Sequence, residues 1–161
     1  MRFLVLAMVA LLGGCAVSMN STVDQMELAT IRYTTSPCFG ACPVYSVTVG
    51  RDGHGVFDGK RYTAVSGKRD FDVSPAQFEA FKRALAPYRP TAGETVHKPG
   101  TNCDHVATDM PSVEVVWTQG NGRSQRLYHY FGCDLQKYAG LAQALRQAPD
   151  TLPIAAMIGH R

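Results

Sequence analysis

Apolar and polar positions alternate with a period of two along much of this chain and change to helical spacing twice. Ile31 and Tyr33 alternate with Thr30, Arg32 and Thr34, a strand pattern. The stretch Ser36-Pro37-Cys38-Phe39-Gly40-Ala41-Cys42-Pro43 interrupts it. Val44 to Val49 resumes as a strand, with Tyr45, Val47 and Val49 on one face and Ser46 and Thr48 on the other. Asp52-Gly53 predicts a turn, and His54 to Phe57 its hairpin partner. Two short strands are expected around Arg61–Val65 and Arg69–Val73, separated by Ser66-Gly67. Later, Val113, Val115 and Trp117 alternate, Gly120-Asn121-Gly122 turns the chain, and Gln125 to Phe131 returns. Leu127, His129 and Phe131 share one face of that strand; Tyr128 and Tyr130 share the other.

Helical spacing begins at Ser74-Pro75-Ala76-Gln77. Ser caps, Pro takes the first helical position, and Gln occupies the capping-box position. Phe78, Phe81 and Leu85 then share a face, and Pro87 and Pro90 end the helix. Asp134 is the expected cap of a second helix running to about Arg146, with Leu135, Tyr138, Leu141, Ala142 and Leu145 apolar. Residues 91 to 111 read as a long irregular stretch, which a cross-link from Cys103 would pin. The expectation is an α+β domain: an antiparallel sheet of about six strands, with two amphipathic helices packed on one face.

A separate apolar run stands before this pattern. Met1 and Arg2 give a positive start, Phe3 to Leu12 are uninterruptedly apolar, and Gly13-Gly14 lead to Cys15. The run is far shorter than the ~20 residues that cross a bilayer. It resembles a bacterial lipoprotein signal. That resemblance implies cleavage before Cys15, a diacylglycerol thioether on its sulfur, and three acyl chains in all, enough for stable anchoring. Ala16, where retained lipoproteins would carry Asp, implies sorting to the periplasmic face of the outer membrane. The organisation expected is therefore a signal peptide over 1–14, a lipidated tether over 15–28, one domain over 29–148 and a tail over 149–161. The apolar tail residues Ile154 to Ile158 are expected to dock on the sheet.

Charge alters the picture only by exclusion. Net charge is +3, and the first 14 residues carry only Arg2 of it. So small an excess gives no basis for nucleic-acid binding. Lys60, Arg61, Lys68 and Arg69 gather on neighbouring strands, a solvated face that also protects a sheet edge. The alternative for these four is contact with anionic lipid or peptidoglycan.

In an oxidising compartment the cysteine count becomes informative. With Cys15 assigned to the anchor, Cys38, Cys42, Cys103 and Cys133 remain. Two disulfides are expected, with three connectivities open. The competing reading is a thiolate metal cluster helped by His105 or His129, although only Cys38 and Cys42 have the short spacing such sites favour.

Three segments carry a family resemblance: Ser36 to Tyr45 (S-P-C-F-G-A-C-P-V-Y), Thr108-Asp109-Met110-Pro111-Ser112, and Tyr130-Phe131-Gly132, supported by the Asp52-Gly53 turn. Together they resemble a bacterial domain-of-unknown-function family, number 6438, over roughly Ile31 to Leu145. The resemblance implies a domain boundary and no activity. It also implies that Cys38 pairs with Cys42, which leaves Cys103 for Cys133.

The Cys38-x-x-x-Cys42-Pro43 loop resembles, in addition, the copper site of Sco-type chaperones, where a distant histidine completes the ligand set. His129 would take that part, and thiolate with imidazole suits copper. The chain departs from that pattern where it matters, because a strand follows the motif and not a helix whose N-terminus would lower the thiol pKa. No serine stands in an elbow motif, and no glycine-rich segment joins strand to helix as a phosphate cradle requires. The sequence thus points to a lipid-anchored envelope protein, non-enzymatic and without a cofactor, that binds or supports peptidoglycan or another envelope protein. A copper or thiol redox protein is the alternative.

Overall fold

The computed structural model describes residues 27–159. The expected signal peptide over 1–14 and most of the expected tether, Cys15 included, lie outside the described residues. Seven strands form one mixed sheet: β1 (Leu28–Thr35), β2 (Val44–Gly50), β3 (His54–Arg61), β4 (Gly67–Asp72), β5 (Glu94–His97), β6 (Ser112–Gln119) and β7 (Ser124–Tyr130). Their spatial order is β4-β3-β2-β1-β6-β7-β5. Every pairing is antiparallel except β5 with β7. Among the described residues the α-helices are α1 (Pro75–Leu85), α2 (Ala139–Gln147) and the single turn α3 (Ala155–Ile158).

The alternation read from the sequence fixes which face is buried. Ile31 pairs with Val49 and Trp117, Tyr33 with Val47 and Val115, Val47 with Phe57, and Val113 with His129. All are buried and belong to one side of the pleat. The other side carries an open ladder of charge: Arg126 reaches Glu114 at 2.6 Å and Glu94 at 2.8 Å. These exposed pairs contribute little each. The core side is closed by Phe78, Phe81 and Leu85 of α1 and Leu141, Ala142 and Leu145 of α2, which join the sheet residues in one cluster. Burying each large side chain contributes roughly 1.5–3 kcal/mol. Ser74 and Gln77 form the expected capping box, with Gln77 N donating to Ser74 Oγ at 3.2 Å and Ser74 N to Gln77 Oε1 at 2.9 Å.

Four expectations need correction. The sheet has seven strands, because Glu94–His97 of the supposedly irregular stretch adds to the edge of β7 in parallel. A four-residue parallel edge strand has neither a hairpin turn nor a sustained alternation to announce it. Secondly, β3 runs unbroken to Arg61, and residues 62 to 66 are loop, so the strand expected over Arg61–Val65 does not form. Gly55 and Gly59 weaken the strand pattern there, yet both are required by packing: a Cβ on Gly55 would meet the Phe71 ring, and one on Gly59 would strike Val65 O. Thirdly, α2 starts at Ala139, five residues after Asp134, which takes φ +35°. Asp before an amphipathic run is the same signal whether it caps or turns. Finally, a third helix adds to the expected two. The tail enters the core through Ile154 and Ile158, and Ala64 N and Val65 N donate to Ile158 O and Met157 O.

Candidate functional site at the cysteine-bearing end of the sheet

Strand directions sort the loops to two ends. The chain enters at Leu28, and the turns after Gly50 and Gln119 lie at that same end. At the opposite end, β1 gives way to residues 36–43, β3 to 62–66, β5 to 98–111, and β7 to 131–138. All four cysteines of the described residues stand there, as two pairs at disulfide distance: Cys38 with Cys42, and Cys103 with Cys133.

The three motif segments, far apart in sequence, are bonded into one unit at this end. Ser36 N donates to Ser112 O at 2.9 Å, and Ser112 N donates to Ser36 Oγ at 2.7 Å. Phe39 N donates to Asp109 O at 3.1 Å. Met110 N reaches the Tyr130 hydroxyl at 3.3 Å, and that hydroxyl donates to Ala107 O at 2.9 Å. Phe131 N donates to Pro111 O, and Ala107 N to Gly132 O at 2.8 Å. Gly132 is needed because any Cβ would run into the Ala107 carbonyl.

Asp134 fastens the long loop. Its Oδ2 accepts from Asp104 N at 3.0 Å, and its Oδ1 accepts from His105 N at 2.7 Å. His105 Nδ1 stands 3.2 Å from the same Oδ1 while the ring projects into solvent, 93% exposed. Those backbone donors, Asp104 N above all, hold the Asp134 carboxyl below its usual range, against the opposing effect of desolvation.

Next to this hub, β5 and α2 cover His129, which is fully buried. Its ring centroid lies 5.5 Å from those of His97, Phe131 and Tyr138. Tyr138 stacks on His97 at 4.2 Å. Neither His129 nitrogen has a hydrogen-bond partner in the protein, nor does His97 Nδ1. Burial, with smaller effects from His97 and Arg146, lowers the His129 pKa to about 4, so the ring is neutral at pH 7. A buried donor or acceptor left unmade costs about 1–3 kcal/mol.

The ligand set suggested by the Sco resemblance does not assemble. Among the described residues, the groups of three or more metal-ligating side chains within reach of one ion reduce to Cys103, Cys133 and Asp134. Cys38 and Cys42 close the loop after β1, whereas His129 lies under α2. The loop after β1 leads straight into β2, so the motif does not open a helix whose N-terminus would lower the thiol pKa. Of the basic set, Lys60 pairs with Asp58 at 2.6 Å, and Lys68 and Arg69 lie on the edge strand β4. The sequence reading missed the Asp134 hub and the His97–His129 contact. Both depend on β5 and the long loop folding back over β7, for which the chain offers no local signal.

An α+β sheet whose separated motifs meet in one hydrogen-bonded loop cluster defines the class of protein. The profile of the family described as a domain of unknown function, DUF6438, matches residues 29–151, and the chain belongs to that family. Comparison with curated proteins finds no match.

Proposed function

We propose that this is a lipid-anchored envelope protein whose domain is a non-enzymatic binding or structural module facing the periplasm. Residues 1–14 are the signal peptide, Cys15 carries the lipid, and the segment up to β1 is the tether. Ala16 directs the protein to the outer membrane, and the four remaining cysteines are oxidised there. The partner is peptidoglycan or another envelope protein.

One observation carries this reading. The exposed large apolar side chains of the described residues are Phe39, Tyr62, Val106, Met110 and Leu135. All five stand on loops at the end of the sheet opposite Leu28, where the tether attaches. A module held by its entry end thus presents its apolar loops away from the bilayer, on a base stiffened by cross-links and motif hydrogen bonds. Exposed apolar side chains on loops at one end of a sheet offer a contact surface, and rigid support favours binding.

Photo-crosslinking in intact cells tests it. A photoreactive residue at Phe39 is expected to trap an envelope component, while one at Asn121, at the tether end, is expected to trap none. Adducts from Asn121 alone, or none from Phe39, would overturn the orientation proposed here.

A further inference from the structure

Asp134 has sulfur neighbours as well as its backbone donors. One of its carboxylate oxygens, Cys103 Sγ and Cys133 Sγ all lie within 4.8 Å of one another. The His105 ring stands beside them, with Nδ1 3.2 Å from Asp134 Oδ1, and its 93% exposure leaves it free to turn. Two thiols, a carboxylate and an imidazole are the donor set of a borderline-soft cation, zinc foremost. Nitrogen and oxygen ligands of a tetrahedral zinc stand about 3.3 Å apart, close to the separation found here, and two thiolates about 3.8 Å apart. The sulfurs take up that separation only when the pair is reduced. The carboxylate is already aimed, because Asp104 N and His105 N donate to it, as hydrogen bonds fix a metal-binding carboxylate. Asp134 and His105 also line an open groove between residues 104–107 and 132–137, which gives an ion its way in. Among the described residues no carboxylate or histidine joins Cys38 and Cys42 within reach of one ion.

We propose that the reduced Cys103–Cys133 pair, with Asp134 and His105, binds one zinc ion, so that zinc and a disulfide compete for the same two sulfurs. A thiol reductant of the glutathione type attacks at Cys103, the partly exposed member of the pair, Cys133 being buried. Two reductant thiols are oxidised to their own disulfide, and Cys103 and Cys133 each gain a hydrogen. Zinc then bonds to both sulfurs, and their two protons leave to solvent. Without an ion, two thiolates beside the Asp134 carboxylate would repel one another; the divalent cation removes that cost and so favours the reduced pair. The oxidised pair expected in the envelope is the zinc-free form. The site belongs to the folded domain and does not depend on anchoring, so its failure would leave the envelope reading standing.

The test equilibrates the full chain, in detergent, with glutathione buffers of fixed composition at a series of free zinc concentrations. Thiols are then trapped by alkylation and mapped by mass spectrometry. The reduced-to-oxidised ratio of Cys103–Cys133 is expected to rise about tenfold for each tenfold increase in zinc above its Kd, the linkage for one ion. Cys38–Cys42 should stay unchanged as the internal control, and calcium should move neither pair. Asp134→Asn and His105→Ala should each weaken the zinc dependence at least about tenfold, measured against the same variant without zinc. Lys137 Nζ stands 3.9 Å from Asp134 Oδ2 and repels an arriving ion, so Lys137→Gln should strengthen the dependence several-fold, a gain that damage to the fold would not give. Zinc that shifts both pairs alike, or neither, would overturn the proposal. Full zinc dependence in both Asp134→Asn and His105→Ala would overturn the ligand set.

Discussion

The Tyr33 hydroxyl donates to the Leu145 carbonyl at 2.8 Å, joining β1 to α2 across 112 positions of sequence. The reason lies four residues further on. In a helix the Leu145 carbonyl would accept from residue 149, and Pro149 has no N–H to give. The tyrosine completes a helix end that the proline leaves short, and it does so inside the core.

Tyr33→Phe should therefore cost about 1–3 kcal/mol, the cost of a buried acceptor left unmade. Urea unfolding measures it. A variant as stable as the parent would show that another donor serves that carbonyl.

Stability should fall on acidification between pH 6.5 and about 4 because of His129. The folded-state pKa lies below the unfolded value, so the unfolded chain binds more protons in this window. Stability then rises with pH across it and is lost as pH drops. The effect should be about 3 kcal/mol between neutral pH and pH 4, at ~1.4 kcal/mol for each pKa unit. His97, also lowered by burial and by Lys137, acts in the same direction. His129→Phe should flatten most of the dependence measured by urea unfolding across this range. An unchanged profile would place the titration elsewhere.

The two cysteine pairs should differ in what they contribute. Cys38 and Cys42 are 4 residues apart; Cys103 and Cys133 are 30 apart. Loop-closure entropy gives about 2 kcal/mol for the short link and about 4 kcal/mol for the long one. Unfolding of the Cys38→Ser/Cys42→Ser and Cys103→Ser/Cys133→Ser proteins should follow that order. The reverse order would show that native contacts, and not chain entropy, set the difference.

Asp134→Asn should loosen residues 98–111 and leave the sheet intact. An amide retains one oxygen acceptor, whereas the carboxylate serves two backbone N–H groups and the His105 ring. Hydrogen exchange at the amides of Asp104 and His105 should quicken, with amides such as Val47 and Val115 unchanged. The parent should lose protection at these two amides in acid, as pH falls below the usual carboxylate range towards the lowered Asp134 value. Equal protection in the variant would assign the pinning to the Cys103–Cys133 link alone.

What could be read from the sequence was whatever local chemistry decides. The capping box at Ser74 and the faces of Phe78, Phe81 and Leu85 follow from spacing within one helix. The buried side of β1, β2, β6 and β7 follows from alternation, since one face must meet the core. The misreadings share a cause: each depended on partners distant in sequence. β5 is a strand only because β7 offers an edge. Asp134 is a turn and a hub only because the backbone at 104 and 105 arrives beside it. Gly55 and Gly59 look like strand breakers until Phe71 and Val65 fill the space a Cβ would need. His129 shares a strand face with Leu127 and Phe131, and the cover from His97 and Tyr138 that buries it completely comes from two other elements.

The mature N-terminus tests the central claim most directly. Mass spectrometry of the protein from the native envelope is expected to find Cys15 as the first residue, carrying a diacylglyceryl group and an N-linked acyl chain. Met1 still in place, or a Cys15 without fatty acid, would contradict the account.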